Sequence, residues 1–258
     1  MQNAALEAAG LPMRYARFQI SVEELPRALK LVSEFGFVGV NLTIPHKLRA
    51  IEFLEEQDEF CRAVGAVNCI RVGDGKLLGS NTDGAGFSAA IRSEFAAELR
   101  ELRILLLGTG GAGQAIATQC AREGCQRLVL TNRSRTTAEE LSANLQRNFG
   151  GLKINVIPCE ESALRPAISN SDLVVNATPV GMRRTDASLI PADWLREQLF
   201  VYDTVYEPDP TALLVAARES GARAAGGLSM LLHQGALSFE AWFGRAAPLE
   251  AMAAALRQ

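Results

Sequence analysis

The sequence is short of histidine, of paired cysteine spacing and of excess positive charge, and each shortage removes a class of function. Only His46 and His233 occur in 258 residues, which excludes a histidine-rich metal site, so no metal is expected. The five cysteines, Cys61, Cys69, Cys120, Cys125 and Cys159, are an odd number with no CxxC spacing. That argues against a disulfide framework or a zinc knuckle and makes a reducing cytoplasm the simplest home. Lys and Arg total 26 against 29 Asp and Glu, a net charge of −3, so no basic face is offered to nucleic acid and attraction to a membrane surface is not expected. No apolar run approaches membrane-spanning length. The start, Met1-Gln2-Asn3-Ala4-Ala5-Leu6, lacks the basic region and apolar core of a signal peptide. There is also no internal repeat and no low-complexity tract. What remains is an ordinary globular composition, 48% hydrophobic and 21% charged, long enough for one large domain or two modest ones burying roughly 70 to 75% of their unfolded surface.

The pattern changes character along the chain. Residues 1 to 84 alternate helical stretches with short strands: Ser21 caps a helical spacing over 22–32, and a strand follows over 37–42, a β-α-β rhythm. From Leu102 a second unit opens with the apolar strand Arg103-Ile104-Leu105-Leu106-Leu107. Further strands are predicted at 127–131, 153–157, 173–176 and 200–203, spaced by helices at 114–123, 137–149 and 162–168. This alternation predicts an α/β fold with a parallel, doubly wound, Rossmann-type sheet. Two helices close the chain, one from residue 227 toward Trp242 and one over 248–256.

The strand at 103–107 runs directly into Gly108-Thr109-Gly110-Gly111-Ala112-Gly113 and then a helix. A GxGxxG motif is weak alone, but between a strand and a helix it has the context of a dinucleotide site. Gly108 permits the tight turn, Gly110 lets a pyrophosphate approach the backbone, and Gly113 allows close helix–strand packing. The helix N-terminus then presents free N–H groups to phosphate. A ligand-free glycine turn is the plainer alternative. An NAD site usually carries an acidic residue at the end of the next strand; this chain has Thr131-Asn132-Arg133-Ser134-Arg135 there. Arg133 and Arg135 suit a 2′-phosphate, which favours NADP(H), although both could be solvated loop charges.

In the first unit the segment Phe35-Gly36-Phe37-Val38-Gly39-Val40 is expected to form a buried strand, with Asn41 and Thr43 on one side of its end. Pro45 suits the turn or first helical residue beyond, which presents Lys47 where backbone leaves the sheet. The group reads either as a substrate cradle with a catalytic amine or as a capped helix start bearing a surface lysine. Gly65-Ala66-Val67-Asn68-Cys69 and Gly79-Ser80-Asn81-Thr82-Asp83-Gly84-Ala85-Gly86 have the same polar density, and each alone could be a turn. Lys47 and Asp83 form a potential ion pair, with Asn68 and Gln234 as neutral hydrogen-bonding groups.

Taken in order, these motifs, with Asn176-Ala177-Thr178-Pro179-Val180-Gly181-Met182, Asp203-Thr204-Val205-Tyr206-Glu207-Pro208 and Gly226 to Gln234, resemble the shikimate dehydrogenase family over nearly the whole chain. The resemblance implies reduction of 3-dehydroshikimate to shikimate with NADPH, Lys47 and Asp83 being the catalytic pair. It implies substrate contacts from Thr43, Asn68, Asp83, Tyr206 and Gln234, which join Asn41 of the cradle. The cofactor would be held by Gly108, Gly110, Gly111, Ala112, Gly113, Asn132, Arg133, Thr178, Met182 and Gly227. It further implies a discontinuous substrate domain, residues 1–84 and 232–258, completed by the C-terminal helices, with an NADP domain over 85–231 inserted. The expected partners are small molecules, and the expected assembly is a monomer or homodimer. Compared with the family, this sequence starts at a helix and lacks a first strand and a Ser-x-Ser-Pro loop whose hydroxyls would hold the substrate carboxylate. The alternatives are a quinate/shikimate dehydrogenase and a truncated, weakly active or non-catalytic dinucleotide-binding paralogue.

Overall fold

The computed structural model describes residues 1–257 and divides into two compact units, Met1–Gly86 with Leu231–Gln258, and Phe87–Met230.

The first unit begins with α1 (Gln2–Ala8) and α2 (Leu25–Glu34). The helix predicted from residue 22 starts at Leu25, because Ser21 and Glu24 close a capping box over the preceding turn. The Ser21 N–H donates to Glu24 Oε2 at 2.8 Å and the Glu24 N–H to Ser21 Oγ at 3.3 Å. Next come β1 (Gly39–Asn41), α3 (His46–Arg49), β2 (Glu56–Gln57), α4 (Glu59–Val64), β3 (Cys69–Gly73), β4 (Lys76–Ser80) and the start of α5 (Asp83–Phe95). The expected buried strand over 35–40 is corrected. Phe35 is the C-cap of α2 and 72% exposed, and Gly36 at φ +72° turns the chain, so only Gly39–Asn41 is strand.

The β-α-β rhythm is likewise replaced by a mixed sheet of order β1-β3-β4-β2, in which β1/β3 and β3/β4 are antiparallel and β2/β4 is parallel. Its hairpin turns at Asp74-Gly75, both at positive φ (52° and 74°), the residue pair that a two-residue turn favours. Leu25 and Leu29 of α2 pack on this sheet with Val67, Ile70 and Leu77. Among the described residues, β1 pairs only with β3. An apolar groove of about 300 Å³ lined by Met13, Tyr15, Phe37 and Trp242 lies beside it.

The second unit contains β5 (Arg103–Leu107), α6 (Gly111–Arg122), β6 (Arg127–Thr131), α7 (Arg135–Asn148), β7 (Ile154–Ile157), α8 (Glu161–Ser169), β8 (Leu173–Asn176), β9 (Phe200–Asp203), α9 (Ala212–Glu219) and β10 (Arg223–Gly226). The six strands are all parallel, in the order β10-β9-β8-β5-β6-β7. Strand side chains alternate between faces, which explains why near-continuous apolar runs are needed. Ile104, Leu106, Leu128, Leu130, Leu173 and Val175 fill one core, and Leu105, Leu107, Val129 and Val174 fill the other. Each such leucine contributes roughly 1.5–3 kcal/mol on burial. The chain builds outward from β5 to β7 and then returns to β8 beside β5, so the order reverses between β5 and β8. In open sheets of this kind, ligands bind outside the carboxyl ends of the strands at that reversal.

The chain returns to the first unit within α10 (Leu228–Phe243), followed by α11 (Leu249–Leu256). There Ala236, Phe239 and Met252 pack against Ala5 and Leu6 of α1. Among the described residues, no helix is long and apolar enough to cross a membrane, and no group of three or more His, Cys, Asp or Glu could hold a metal.

Candidate functional site

Each unit gathers one polar cluster. In the first, Lys47 sits on α3, just past the Thr43–Pro45 turn, and Asp83 opens α5, where a carboxylate is favoured by the unpaired N–H groups of a helix start. Lys47 Nζ donates to Asp83 Oδ2 at 2.7 Å, and only 14% and 6% of the two side chains remain exposed. A short charge-assisted bond largely removed from water is stronger than a surface ion pair, and it holds the ammonium at a defined point.

The other carboxylate oxygen is also committed. Asn68 Nδ2 donates to Asp83 Oδ1 at 2.7 Å and to Thr82 Oγ1 at 3.0 Å, and approaches Gln234 Oε1 at 3.4 Å. The amide of Asn68 is oriented in turn by the Thr82 N–H, which donates to its Oδ1 at 2.8 Å. Asn81 pins the start of α5, its Oδ1 accepting from the Asp83 N–H at 3.0 Å and its Nδ2 donating to Ala66 O at 2.8 Å. Asn41 joins through its Nδ2, which donates to Asn68 O at 3.1 Å and to Ser238 Oγ at 2.9 Å. Lys47, Asp83, Asn68, Gln234 and Asn41 are therefore one network. Thr43 is exposed and contributes a backbone bond, its carbonyl accepting from the His46 N–H at 2.8 Å. Tyr206 belongs to the second unit, 45% exposed in the loop after β9. Sequence reading missed Thr82 and Ser238 as members. Thr82 stood inside a quoted motif, whereas Ser238 had no signal beyond lying four residues past Gln234, one helical turn along α10.

The second cluster is built from backbone shape. Gly108 follows β5 at φ +96°, and a Cβ there would meet Ala177 O at 2.8 Å. At Gly113 a Cβ would strike the carbonyl oxygen of Gly108, whereas at Gly110 it would meet nothing within 4 Å. Gly110 caps α6 without a side-chain bond. The first N–H groups of a helix have no intrahelical acceptor, and with Gly110 open beside it the start of α6 fits a diphosphate. Asn132 links the turn to the end of β6, its Oδ1 accepting from the Thr109 N–H at 3.4 Å and its Nδ2 donating to Ser134 O at 3.0 Å. The two arginines differ. Arg135 Nε is engaged by Glu139 Oε1 at 2.8 Å, while Arg133 is exposed with no ion-pair partner among the described residues, leaving it the better placed to receive a phosphate.

Thr178 and Met182 lie on the loop after β8, and Met182 is 55% exposed. At Gly227 a Cβ would collide with Thr204 O, which fixes a close approach to the loop after β9. The end of β9 carries a group that sequence reading passed over. Asp203 is fully buried and accepts from Asn176 Nδ2 at 2.9 Å, from the Val205 N–H at 3.0 Å and from Thr211 Oγ1 at 2.7 Å. Burial pushes its carboxyl upward from the usual range, against the three donors that favour the charged form.

Three family models match in order: the shikimate dehydrogenase substrate binding domain over residues 1–70, shikimate/quinate 5-dehydrogenase over 90–188, and the shikimate 5′-dehydrogenase C-terminal domain over 227–257. A shikimate dehydrogenase (NADP+) of Methanopyrus kandleri is 39% identical over 254 residues, 98% of this chain and 87% of the relative. A crystal structure of a shikimate dehydrogenase in complex with NADP+ superposes with a TM-score of 0.91 at 32% identity, covering 99% of this chain and 88% of that one. The shikimate 5-dehydrogenase of Thermus thermophilus, in complex with NADP(H) and shikimate, gives 0.87 at 34% identity, covering 99% and 91%. A relative this similar over so much of both chains, with family segments in both units, leads to one conclusion: the chain belongs to the shikimate dehydrogenase family.

Proposed function

We propose that this chain is an NADP-dependent shikimate dehydrogenase that interconverts 3-dehydroshikimate and shikimate. The observation that carries the reading is the buried Lys47–Asp83 pair at 2.7 Å, with Asn68 holding the opposite carboxylate oxygen. When bound, NADPH supplies the hydride that adds to the ring carbonyl carbon. Lys47 stabilises the negative charge that grows on the carbonyl oxygen and donates a proton to it, leaving a neutral amine and a new hydroxyl; in the oxidative direction the amine takes the proton back. Asp83 orients the ammonium. Asn41, Thr43, Asn68, Tyr206 and Gln234 supply the contacts to the substrate's hydroxyls and carboxylate. In the second unit, residues 108–113 receive the diphosphate and Arg133 the 2′-phosphate, while Asn132, Thr178, Met182 and Gly227 line the remaining cofactor surface. The first unit, with its C-terminal helices, is then the substrate domain and the second the NADP domain.

Four of the five cysteines are buried and all five are free, which supports a reducing cytoplasm, and the enzyme is expected to act as a monomer or homodimer. Quinate is the second substrate to test, because the central family model spans both enzymes. The test measures NADP+ reduction by the purified protein with shikimate and quinate in parallel. NADPH formation that is faster with shikimate is expected. NADPH binding without turnover of either acid would overturn the enzyme reading and leave a dinucleotide-binding paralogue.

A further inference from the structure

We infer that Asp203 is a positioning residue for the cofactor: its buried carboxylate, acting through Asn176, fixes the conformation of the 176–182 loop. The inference rests on the reading of that loop as part of the dinucleotide site. It begins from an accounting of Asn176, which is fully buried at the end of β8. Its Oδ1 accepts from both the Thr178 N–H, at 2.9 Å, and Thr178 Oγ1, at 2.7 Å. Its Nδ2 donates to Val180 O at 3.0 Å and to Asp203 Oδ1 at 2.9 Å. Thr178 Oγ1 in turn accepts from the Val180 N–H at 3.2 Å. One amide therefore organises the whole turn beyond β8, provided that it keeps this orientation.

A side-chain amide can rotate by half a turn and exchange its donor and acceptor ends. Asp203 prevents that here, because a carboxylate has no proton to give and would face the Asn176 carbonyl with like partial charge. Asp203 is itself immobilised by the Val205 N–H and by Thr211, whose Oγ1 also accepts from the Leu214 N–H at 3.3 Å to cap α9. The orientation is therefore passed from the start of α9 through Asp203 and Asn176 to Thr178. The consequence reaches the glycine turn, since a Cβ at Gly108 would meet Ala177 O and Thr178 Cγ2, each at 2.8 Å. The loop set by Asn176 is the wall against which that turn closes.

The test uses Asp203→Asn, Asn176→Asp and the double variant, with the dissociation constants of NADPH and shikimate and the KM of each measured on the full chain. An asparagine at 203 loses the charge and replaces one accepting oxygen with a donor, so the Asn176 amide, the Val205 N–H and the Thr211 hydroxyl can no longer all be accepted and the hold on Asn176 weakens; NADPH affinity and the KM for NADP+ are expected to worsen about tenfold while those for shikimate stay within about twofold. Asn176→Asp sets two carboxylates face to face and is expected to weaken NADPH binding by about 100-fold, and the double variant to recover about tenfold of that loss. Unchanged NADPH binding in Asp203→Asn would overturn the inference, as would equal loss of NADPH and shikimate affinity, the mark of a merely structural residue. If Asn176→Asp does not fold, Asp203→Asn decides alone. A wild-type chain that binds no NADPH would instead overturn the dinucleotide reading, and this inference with it.

Discussion

The two clusters are made of different material. The first unit's site is a mesh of side chains, Lys47, Asp83, Asn68 and Gln234, drawn from four places in the chain, with Asn68 and Gln234 166 residues apart. The second unit's site is mostly absence of side chain: Gly108 and Gly113 leave room for backbone, and Gly110 leaves room for a ligand. The difference matches the tasks proposed for them. Moving a proton requires an ionisable group held at a point, whereas gripping a diphosphate requires N–H groups that nothing obstructs. It follows that the first cluster should fail in turnover when a side chain changes, and the second in cofactor affinity when a side chain is added.

Asp83→Asn gives the largest expected effect after loss of Lys47 itself. The ammonium loses its counter-charge and orientation, and kcat is expected to fall by about 10²–10³ with the NADPH dissociation constant unchanged; a parallel loss of NADPH binding would erase the contrast. Gly113→Ala attacks the other cluster. Its methyl would strike Gly108 O, so the turn must open, and NADPH affinity measured by titration is expected to drop by about 30-fold, with destabilisation of about 1–3 kcal/mol. Arg133→Gln should weaken NADP+ by about tenfold and leave NAD+ unaffected, while Arg135→Gln, already paired with Glu139, should change NADP+ affinity by about twofold or less. Equal effects would show that the Glu139 pair does not withhold Arg135.

The smallest effect concerns stability, and it treats the units alike. Burial raises Cys61 in the first unit and Cys125 in the second from 9.0 to about 12. Above pH 9 the unfolded chain releases these protons while the folded chain retains them, so their contribution to stability is constant below pH 9 and is lost as pH rises toward 12. Denaturant midpoints measured from pH 8 upward should fall less steeply in Cys61→Ala and Cys125→Ala than in the wild type.

The same contrast governed what the sequence disclosed. Strands at 103–107, 127–131, 173–176 and 200–203 coincide with β5, β6, β8 and β9 because strands covered on both faces must be apolar throughout. The edge strand β10, Arg-Ala-Ala-Gly, carries no such run and was invisible. In the first unit, β3 (Cys-Ile-Arg-Val-Gly) and β4 (Lys-Leu-Leu-Gly-Ser) carry no continuous apolar run, and the Asp74-Gly75 hairpin signal was present but overlooked. The glycine motif was legible because its six residues act locally. The Lys47–Asp83–Asn68–Gln234 association was suggested by the polar chemistry of its residues and given roles by family resemblance, since no spacing rule joins residues so far apart. Asn176 and Asp203 stood inside quoted motifs, yet their bond depends on β8 and β9 lying side by side, in register at Asn176 and Asp203, which the sequence does not display.

The most direct test of the central claim is the rate of NADP+ reduction by shikimate in Lys47→Ala, with NADPH affinity determined on the same preparation. The account predicts a fall in kcat of about 10²–10⁴ with NADPH bound as tightly as by the wild type. Wild-type turnover in Lys47→Ala would contradict it.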